Sequence, residues 1–369
     1  MLNTPDRTDH RYPLRSIYFY PTESCNLRCV HCWLHPYYAP DASTYKAQNR
    51  DNVSVDTMDG VVREALALGL QHIKFTGGEP LLSPLFFDFL ACFSNYDLYF
   101  SLETNATLLD DAMAHKLKRY RIRHVSTSLD GSTPETHEGI RRVEGSFNKT
   151  LNGIRALIAH GFSPQVIFCL QKSNAADLEN TIRLALDLNI RSFEINPLIQ
   201  FDTGESSRPV CGGLDIEQLL QLEDQIENDF PQRFPGIDIN LYLPPALKGI
   251  RLLGGDSLYR CRIFNICGVL SNGDVSLCGI GRRKKGLVMG NVAETSIAEI
   301  WREGRLFQEI RHQVPQKLEG VCGRCLFRFH CLGFCRADAL FEGRSLLEPN
   351  EFCQTAYRKG LFPSSRIWR

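Results

Sequence analysis

Three cysteines near the start of the chain, in the run Cys25-Asn26-Leu27-Arg28-Cys29-Val30-His31-Cys32, are the residues best suited to chemistry. A structural zinc site takes four protein ligands. A cubane iron–sulfur cluster held by only three thiolates leaves one iron open, and an open metal position is what chemistry needs. The tight spacing lets a single backbone turn wrap such a cluster. Zinc, with His31 or His35 completing the set, is the competing reading of this segment alone.

Further on, Thr76-Gly77-Gly78-Glu79-Pro80 follows the apolar run Ile73-Lys74-Phe75. Two glycines after a strand allow a bend that presents free backbone groups, with Glu79 beside them as an acceptor. Such a turn is ordinary by itself. Together, the Cys-x3-Cys-x2-Cys loop and the Gly-Gly-Glu-Pro turn resemble the radical S-adenosylmethionine (SAM) superfamily. The resemblance implies that the open iron is chelated by the amine and carboxylate of SAM, and that Gly77, Gly78, Glu79 and Pro80 hold the methionine amine. It also implies the reaction: the reduced cluster gives SAM one electron, and the resulting 5′-deoxyadenosyl radical abstracts hydrogen from an unactivated C–H bond.

The elements that must position these groups alternate through the first two thirds of the chain. Residues 16–21 read as a strand leading into the cysteine loop. A helix over 55–69 has Ser54 as its cap, and Ile73–Thr76 is the next strand. Ser83-Pro84 starts a helix to about Phe93. Strands at 97–103 and 124–129 flank a helix near 108–119. A helix at about 150–159 ends at His160-Gly161. Strands at 165–171 and 191–196 enclose a helix over 174–187, and 215–229 supplies a sixth helix. Such alternation implies a parallel sheet with helices outside, open or closed. The resemblance implies a partial (β/α)6 TIM-type barrel, which carries its site at the C-terminal ends of the strands. The expected organisation is a tail over 1–14, a barrel over 15–235, a connector over 236–254 and a small cysteine-rich domain over 255–369.

With 369 residues the chain can bury two cores. Lys+Arg and Asp+Glu both number 42, so no global basic field recruits nucleic acid. No span reaches membrane length and no signal peptide is visible, so neither membrane nor nucleic acid is an expected partner and the cytoplasm is the expected location. Fourteen cysteines in that setting argue for metal or redox chemistry rather than a disulfide framework.

Eight of those cysteines lie in the last third: Cys261, Cys267, Cys278, Cys322, Cys325, Cys331, Cys335 and Cys353. Paired Cys-x2-Cys elements also suit a zinc ribbon. The order Cys261-x11-Gly273-x4-Cys278, then Cys322-x2-Cys325-x5-Cys331-x3-Cys335 and a final Cys353, is similar to the SPASM auxiliary domain of many radical SAM enzymes. Cys267 is an eighth cysteine beyond that pattern, and eight thiolates close two cubanes. By analogy with members carrying two auxiliary clusters, Cys261, Cys267, Cys278 and Cys335 form one set and Cys322, Cys325, Cys331 and Cys353 the other. Three 4Fe–4S clusters and SAM are therefore the expected cofactors. Asn272-Gly273-Asp274 is a hairpin signal.

Other positions follow from strand ends. Glu103, Thr104 and Asn105 end the third strand, placed to meet the SAM ribose. The stretch Ser128-Leu129-Asp130-Gly131, His137-x3-Arg141 and Gly145-Ser146-Phe147 resembles the SPASM-group pattern in which a serine and an arginine contact SAM. Ser128 and Arg141 are the candidates there, with Arg142 a rival. Asn196, closing the sixth strand, is a candidate for the adenine side. Cys92 and Cys169 sit in apolar runs and read as core. Cys211 lies in a Gly/Ser/Pro-rich loop after the sixth strand, where a thiol can act as a hydrogen-atom donor.

SPASM enzymes often modify peptides by crosslinking, epimerisation or oxidation, and peptide modification is the favoured expectation. A sugar or aminocyclitol dehydrogenase or epimerase is the alternative, and a non-catalytic metal-binding scaffold an answer of another class. Sulfatase-maturing members carry aspartate directly after the cysteine matching Cys278, and here that residue is Gly279. About fourteen residues precede the first strand, too few for a winged-helix recognition domain. Leader recognition is thus expected from the barrel, the SPASM domain or a separate protein. An electron donor such as flavodoxin or ferredoxin is expected as well.

Overall fold

Strands and helices alternate in the computed structural model, which describes residues 12–47, 52–198, 212–249, 261–279, 285–341 and 343–368. Cys211 lies outside the described residues. The repeating units run β1 (Ser16–Phe19), α1 (Val55–Ala67), β2 (His72–Phe75), α2 (Phe86–Phe93), β3 (Tyr99–Thr104), α3 (Asp111–Leu117) and β4 (Ile122–Ser128). They continue as α4 (Pro134–Arg141), α5 (Ser146–Ala159), β5 (Gln165–Leu170), α6 (Leu178–Asp187), β6 (Ser192–Pro197), α7 (Ile216–Asn228) and β7 (Asp238–Leu241). The C-terminal segment adds β8 (Ile266–Val269), β9 (Asp274–Ser276) and β10 (Val288–Asn291) before six short helices.

Local chemistry explains most boundaries. Ser54 caps α1, its hydroxyl accepting from the Thr57 N–H at 3.0 Å. Met58, Val61, Val62 and Ala65 bury one stripe of that helix at the spacing a 3.6-residue period requires. His160 and left-handed Gly161 end α5 as expected. Three details differ from expectation. Pro80–Leu82 forms a 3-10 turn, so α2 starts at Phe86 rather than at Pro84. The helix expected at 150–159 begins earlier, at Ser146. Helix α4 was not expected at all, although Thr133 caps it and Pro134 occupies its first turn, a legible start signal.

The ten strands so labelled form one sheet in the order β10-β9-β8-β1-β2-β3-β4-β5-β6-β7. Strands β1 to β7 run parallel, and the sheet keeps two edges, so the barrel is partial. Two findings redraw the expected organisation. Strand β7 falls in the segment expected to be a connector, pairing Ser192 with Asp238 beside β6. Strand β8, from the cysteine-rich segment, lies parallel to β1 with Ser16 opposite Ile266. The barrel and the cysteine-rich region therefore share a sheet. The turn at Asn272-Gly273-Asp274 joins β8 to β9 as the sequence suggests, with Gly273 at φ 89°.

The two faces of the sheet differ. Ile17, Phe19, Ile73, Phe75, Phe100 and Leu102 alternate onto the helix-covered face and are buried. The Phe19 and Phe89 rings meet edge-on at 4.8 Å, and Phe75 meets Phe86 at 5.2 Å. Each such buried ring contributes about 1.5–3 kcal/mol. The opposite face carries Tyr18, Lys74, Glu103, Ser126 and Glu194 at the alternate positions. A parallel sheet is ordinarily apolar on both faces, and this polar interior departs from that pattern. No helix among the described residues is long and apolar enough to cross a membrane.

Candidate functional site

The N-terminal cysteine loop is closed by a two-residue strand pair, Ser24 opposite Tyr37 and Cys25 opposite Tyr38. The Ala39 N–H donates to the Cys25 carbonyl at 2.9 Å, and the Cys32 N–H to the Cys29 carbonyl at 3.2 Å. Cys25 and Cys29 are buried, and Cys32 is partly so. Burial and the neighbouring Cys29 push the Cys32 thiol up to about 11, and burial followed by Cys29 and Glu79 raises Cys25 strongly. Cys25 and Cys32 so held become favourable as thiolates only with cationic charge beside them.

Donors already aim at these sulfurs. The Leu27 N–H lies 3.4 Å from Cys25 Sγ, Asn105 Nδ2 3.8 Å from the same atom, and Arg141 Nη1 3.4 Å from Cys29 Sγ. Among the described residues no three His, Cys, Asp or Glu side chains converge as tightly as one ion demands. A cubane binds each thiolate to a different iron and so needs a wider set. Hydrogen-bond donors on the Cys25 and Cys29 sulfurs are an environment that suits a thiolate-bound cluster.

The Gly-Gly-Glu-Pro turn is zipped onto the approach to this loop. The Gly78 N–H donates to the Thr22 carbonyl at 3.2 Å, and the Glu79 N–H to the Ser24 carbonyl at 2.8 Å. A Cβ on Gly78 would stand 2.0 Å from the Ser24 carbonyl oxygen, and Gly77 adopts φ 118°. Glycine is required at both positions. The Glu79 carboxylate accepts from Leu81 N–H (3.2 Å), Thr104 Oγ1 (2.7 Å) and Asn105 N–H (2.8 Å). Burial still raises its carboxyl to about 7, because three neutral donors offset only part of the lost hydration. Pro80 opens the following turn.

Glu79, Thr104, Asn105 and Cys25 are thus one unit. Glu103 is not part of it: its carboxylate pairs with Lys74 and accepts from Thr76 Oγ1 at 2.7 Å on the polar face. Ser128 ends β4 on the same face as Ser126. Arg141 is buried and reaches Asp130, Nη2 to Oδ2 2.7 Å. Arg142 is exposed and lines a surface cleft with Arg28, Cys29 and Tyr38, whereas the buried Arg141 is the guanidinium that donates to Cys29 Sγ. Asn196 Oδ1 is buried with no hydrogen-bond partner among the described residues, as an acceptor awaiting a ligand donor would be.

Sequence reasoning passed over Asp130, although it stands in the quoted Ser128–Gly131 stretch. It also passed over Tyr20, whose hydroxyl donates to the Cys278 carbonyl at 3.5 Å and links the two cysteine regions. No local pattern announces either role.

The C-terminal cysteines separate into two sets. Cys322, Cys325, Cys331 and Cys353 line one cavity with Arg328. There the Asn350 N–H lies 3.4 Å from Cys322 Sγ and the Phe327 N–H 3.4 Å from Cys325 Sγ. The Cys353 thiol donates to Cys322, which lowers Cys322 to about 7. Elsewhere burial raises the Cys335 thiol, followed by the nearby Cys278 and Cys261. Cys331 and Cys335 would share one face of a continuous helix. Left-handed Leu332, Gly333 and Phe334 between them break it and send the two thiols to different sets.

Cys267 departs from its expected group. It lies on β8 beside Ile17 of β1 and on the same face as Val269, within the apolar core. Burial raises its thiol. Cys278 and Cys261 act on Tyr18, on the other face of the sheet. Strand alternation points Cys267 away from its expected partners.

The profile of the radical SAM superfamily matches residues 19–185, and that of SPASM, an iron–sulfur cluster-binding domain, matches residues 261–326. The chain is a radical SAM enzyme with a SPASM domain. This radical SAM–SPASM chain is 29% identical to an AdoMet-dependent heme synthase of Methanosarcina barkeri, covering 92% of this chain and 95% of that protein. It is 25% identical to the mycofactocin maturase MftC of Mycobacterium tuberculosis, over 90% and 81% of the two chains. In fold it is similar to Streptococcus suis SuiB bound to the precursor peptide SuiA, with a TM-score of 0.69 and 17% identity over 94% of this chain and 77% of that one.

Proposed function

We propose that Cys25, Cys29 and Cys32 hold a cubane cluster with one open iron, that SAM binds there, and that the enzyme modifies a peptide at a C–H bond. The observation that carries the reading is the join between the cysteine loop and the Gly77–Pro80 turn through Ser24 and Glu79. When bound, the reduced cluster and SAM supply the 5′-deoxyadenosyl radical that removes hydrogen. The protein's part is to bind and orient. Gly77 and Gly78 bring backbone close to the ligand, and Glu79, held by Thr104 and Asn105, accepts from the SAM amine. Arg141 and Ser128 would contact its carboxylate and ribose, and Asn196 Oδ1 would accept from the adenine amine. Lys74, Glu103 and Glu194 face the substrate from the polar interior.

In this reading Cys322, Cys325, Cys331 and Cys353 close one auxiliary cluster, and Cys261, Cys278 and Cys335 hold the other. Three clusters call for about twelve irons per chain. The peptide assignment is supported by the maturase name of MftC and by the precursor peptide bound to SuiB. A second reading, a tetrapyrrole substrate, is favoured by the heme synthase relative. In an epimerisation, Cys211 is the candidate hydrogen donor.

The test is anaerobic reconstitution, iron analysis and incubation with SAM and dithionite. About twelve irons and formation of 5′-deoxyadenosine are expected. Replacing Cys25, Cys29 and Cys32 with alanine removes about four irons and all SAM cleavage, and a triple variant that still cleaves SAM overturns the reading. Mass spectrometry with candidate precursor peptides, and separately with an iron tetrapyrrole, decides the substrate class.

A further inference from the structure

Six large hydrophobic side chains are exposed among the described residues: Tyr37, Leu326, Phe329, Tyr357, Leu361 and Trp368. All but Tyr37 fall between residues 326 and 368. Backbone pairing brings the two segments together, with the Leu326 N–H donating to the Arg366 carbonyl at 2.9 Å and the Trp368 N–H to the Arg324 carbonyl at 2.8 Å. Cys325 and Ile367 form the bridge between them and turn inward. Arg324, Leu326 and Trp368 are exposed on the outer side of this bridge. Leu326 is 59% exposed and Trp368 65%, which for side chains of this size is a patch rather than scatter.

Arginines are set into this face. The Arg328 guanidinium lies 4.8 Å from the Phe329 ring and 5.7 Å from the Trp368 ring, and Arg324 lies 5.1 Å from the Tyr357 ring. Neither Arg324 nor Arg328 forms an ion pair with a described carboxylate. Nearby, Arg358 pairs with Glu351 at 3.7 Å and Lys359 with Glu217, while Arg336 and Arg366 are buried, so Arg324 and Arg328 are the cations this face leaves without a carboxylate among the described residues. Trp, Tyr and Arg around an apolar centre are the composition of a protein-binding hot spot. Two guanidiniums without carboxylate partners, set in an apolar face, favour an acidic partner.

What lies beneath decides the partner's class. Leu326 follows Cys325 directly and Phe329 sits two residues before Cys331, two of the four cysteines lining the cavity behind the face. Resting on the proposed function, those four thiolates close a cluster completely, so it has no position left for a substrate and can only take up or give up an electron. Electrons cross protein over short distances, so a carrier must sit where the cover is thinnest. We propose that the Leu326–Phe329–Trp368 face docks an acidic one-electron carrier protein of the flavodoxin or ferredoxin type. One electron leaves the reduced carrier and is received at the four-cysteine centre, with no bond made or broken. A small patch suits such brief redox encounters.

The test uses the full-length reconstituted protein and an acidic flavodoxin, with binding followed by calorimetry at low and high salt. Binding that weakens with salt, and weakens about tenfold in Trp368→Asp and in Phe329→Asp, is expected. Both variants should keep the iron content, absorption spectrum and dithionite-driven SAM cleavage of the unaltered protein. Flavodoxin and ferredoxin binding that is absent, or unchanged in both variants, overturns the proposal. So does a dimer that dissociates in Trp368→Asp, or a precursor peptide that competes for the face. Failure of dithionite to drive SAM cleavage in the unaltered protein strikes the proposed function instead, because dithionite bypasses the carrier, and the binding measurement still decides the docking face.

Discussion

Asp130 and Arg141 form a buried ion pair, Oδ2 to Nη2 2.7 Å, and the same guanidinium reaches Cys29 Sγ at 3.4 Å. The second carboxylate oxygen of Asp130 accepts from the Cys169 N–H at 2.8 Å, and the Asn174 amide holds the Asp130 carbonyl at 3.1 Å. The end of β4 thereby clamps the end of α4 against the cysteine loop, whose Arg28 and Val30 N–H groups donate to the Arg141 and Ile140 carbonyls.

Breaking that pair leaves a charge buried without its partner. Asp130→Ala should destabilise the protein by about 3–5 kcal/mol, measured by urea unfolding under anaerobic conditions. Arg141→Ala should cost a similar amount, and the double variant less than the sum of the two. Burial pushes the Asp130 carboxyl up, but Arg141 outweighs it and the net shift is downward. Its contribution is therefore present above the unfolded carboxylate range and lost as pH falls through the depressed value.

Glu79 has the opposite sign. Burial raises it from 4.5 to about 7. Between those values the unfolded chain has released a proton that the folded protein keeps, so stability falls as pH rises from about 4.5 to 7, by about 3 kcal/mol at most. Glu79→Gln should flatten this slope in the metal-free protein. On the proposed reading SAM binding below pH 7 releases a proton, so affinity should rise from pH 6 to pH 8 in the parent and not in Glu79→Gln. Calorimetry in buffers of different ionisation enthalpy reads the proton directly.

Gly78→Ala places a methyl group 2.0 Å from the Ser24 carbonyl, which is backbone and cannot swing aside. The turn must lift from the cysteine loop, at a cost of about 1–3 kcal/mol, with SAM affinity reduced at least tenfold. Gly145→Ala is the control: its φ is 77° but the space is open, so it should lose about 1 kcal/mol and leave SAM affinity unchanged.

Cys267→Ala and Cys335→Ala separate core packing from ligation. Cys335→Ala should lower the iron content and alter the auxiliary cluster spectrum. Cys267→Ala should keep the iron and lose about 1 kcal/mol of stability. Equal iron loss in both variants would return Cys267 to the ligand set.

Whatever depends on a few contiguous residues was legible in the sequence. The Cys25–Cys32 loop, the Gly77–Pro80 turn, the Ser54 cap and the Asn272–Asp274 hairpin each carry their geometry in local chain chemistry. The β/α alternation was legible too, because burying one face of each helix writes a period into the residues. Tertiary structure decided what depends on partners far apart in the chain. Glu79 takes Thr104 and Asn105 but not Glu103, since the backbone ends its alternation there and only the last residues of β3 reach the turn. Strand β8 pairs with β1 across some 250 residues, joining two expected domains in one sheet. That pairing turns Cys267 into the core, because successive side chains of a strand face opposite sides and only the register between strands determines which side is which.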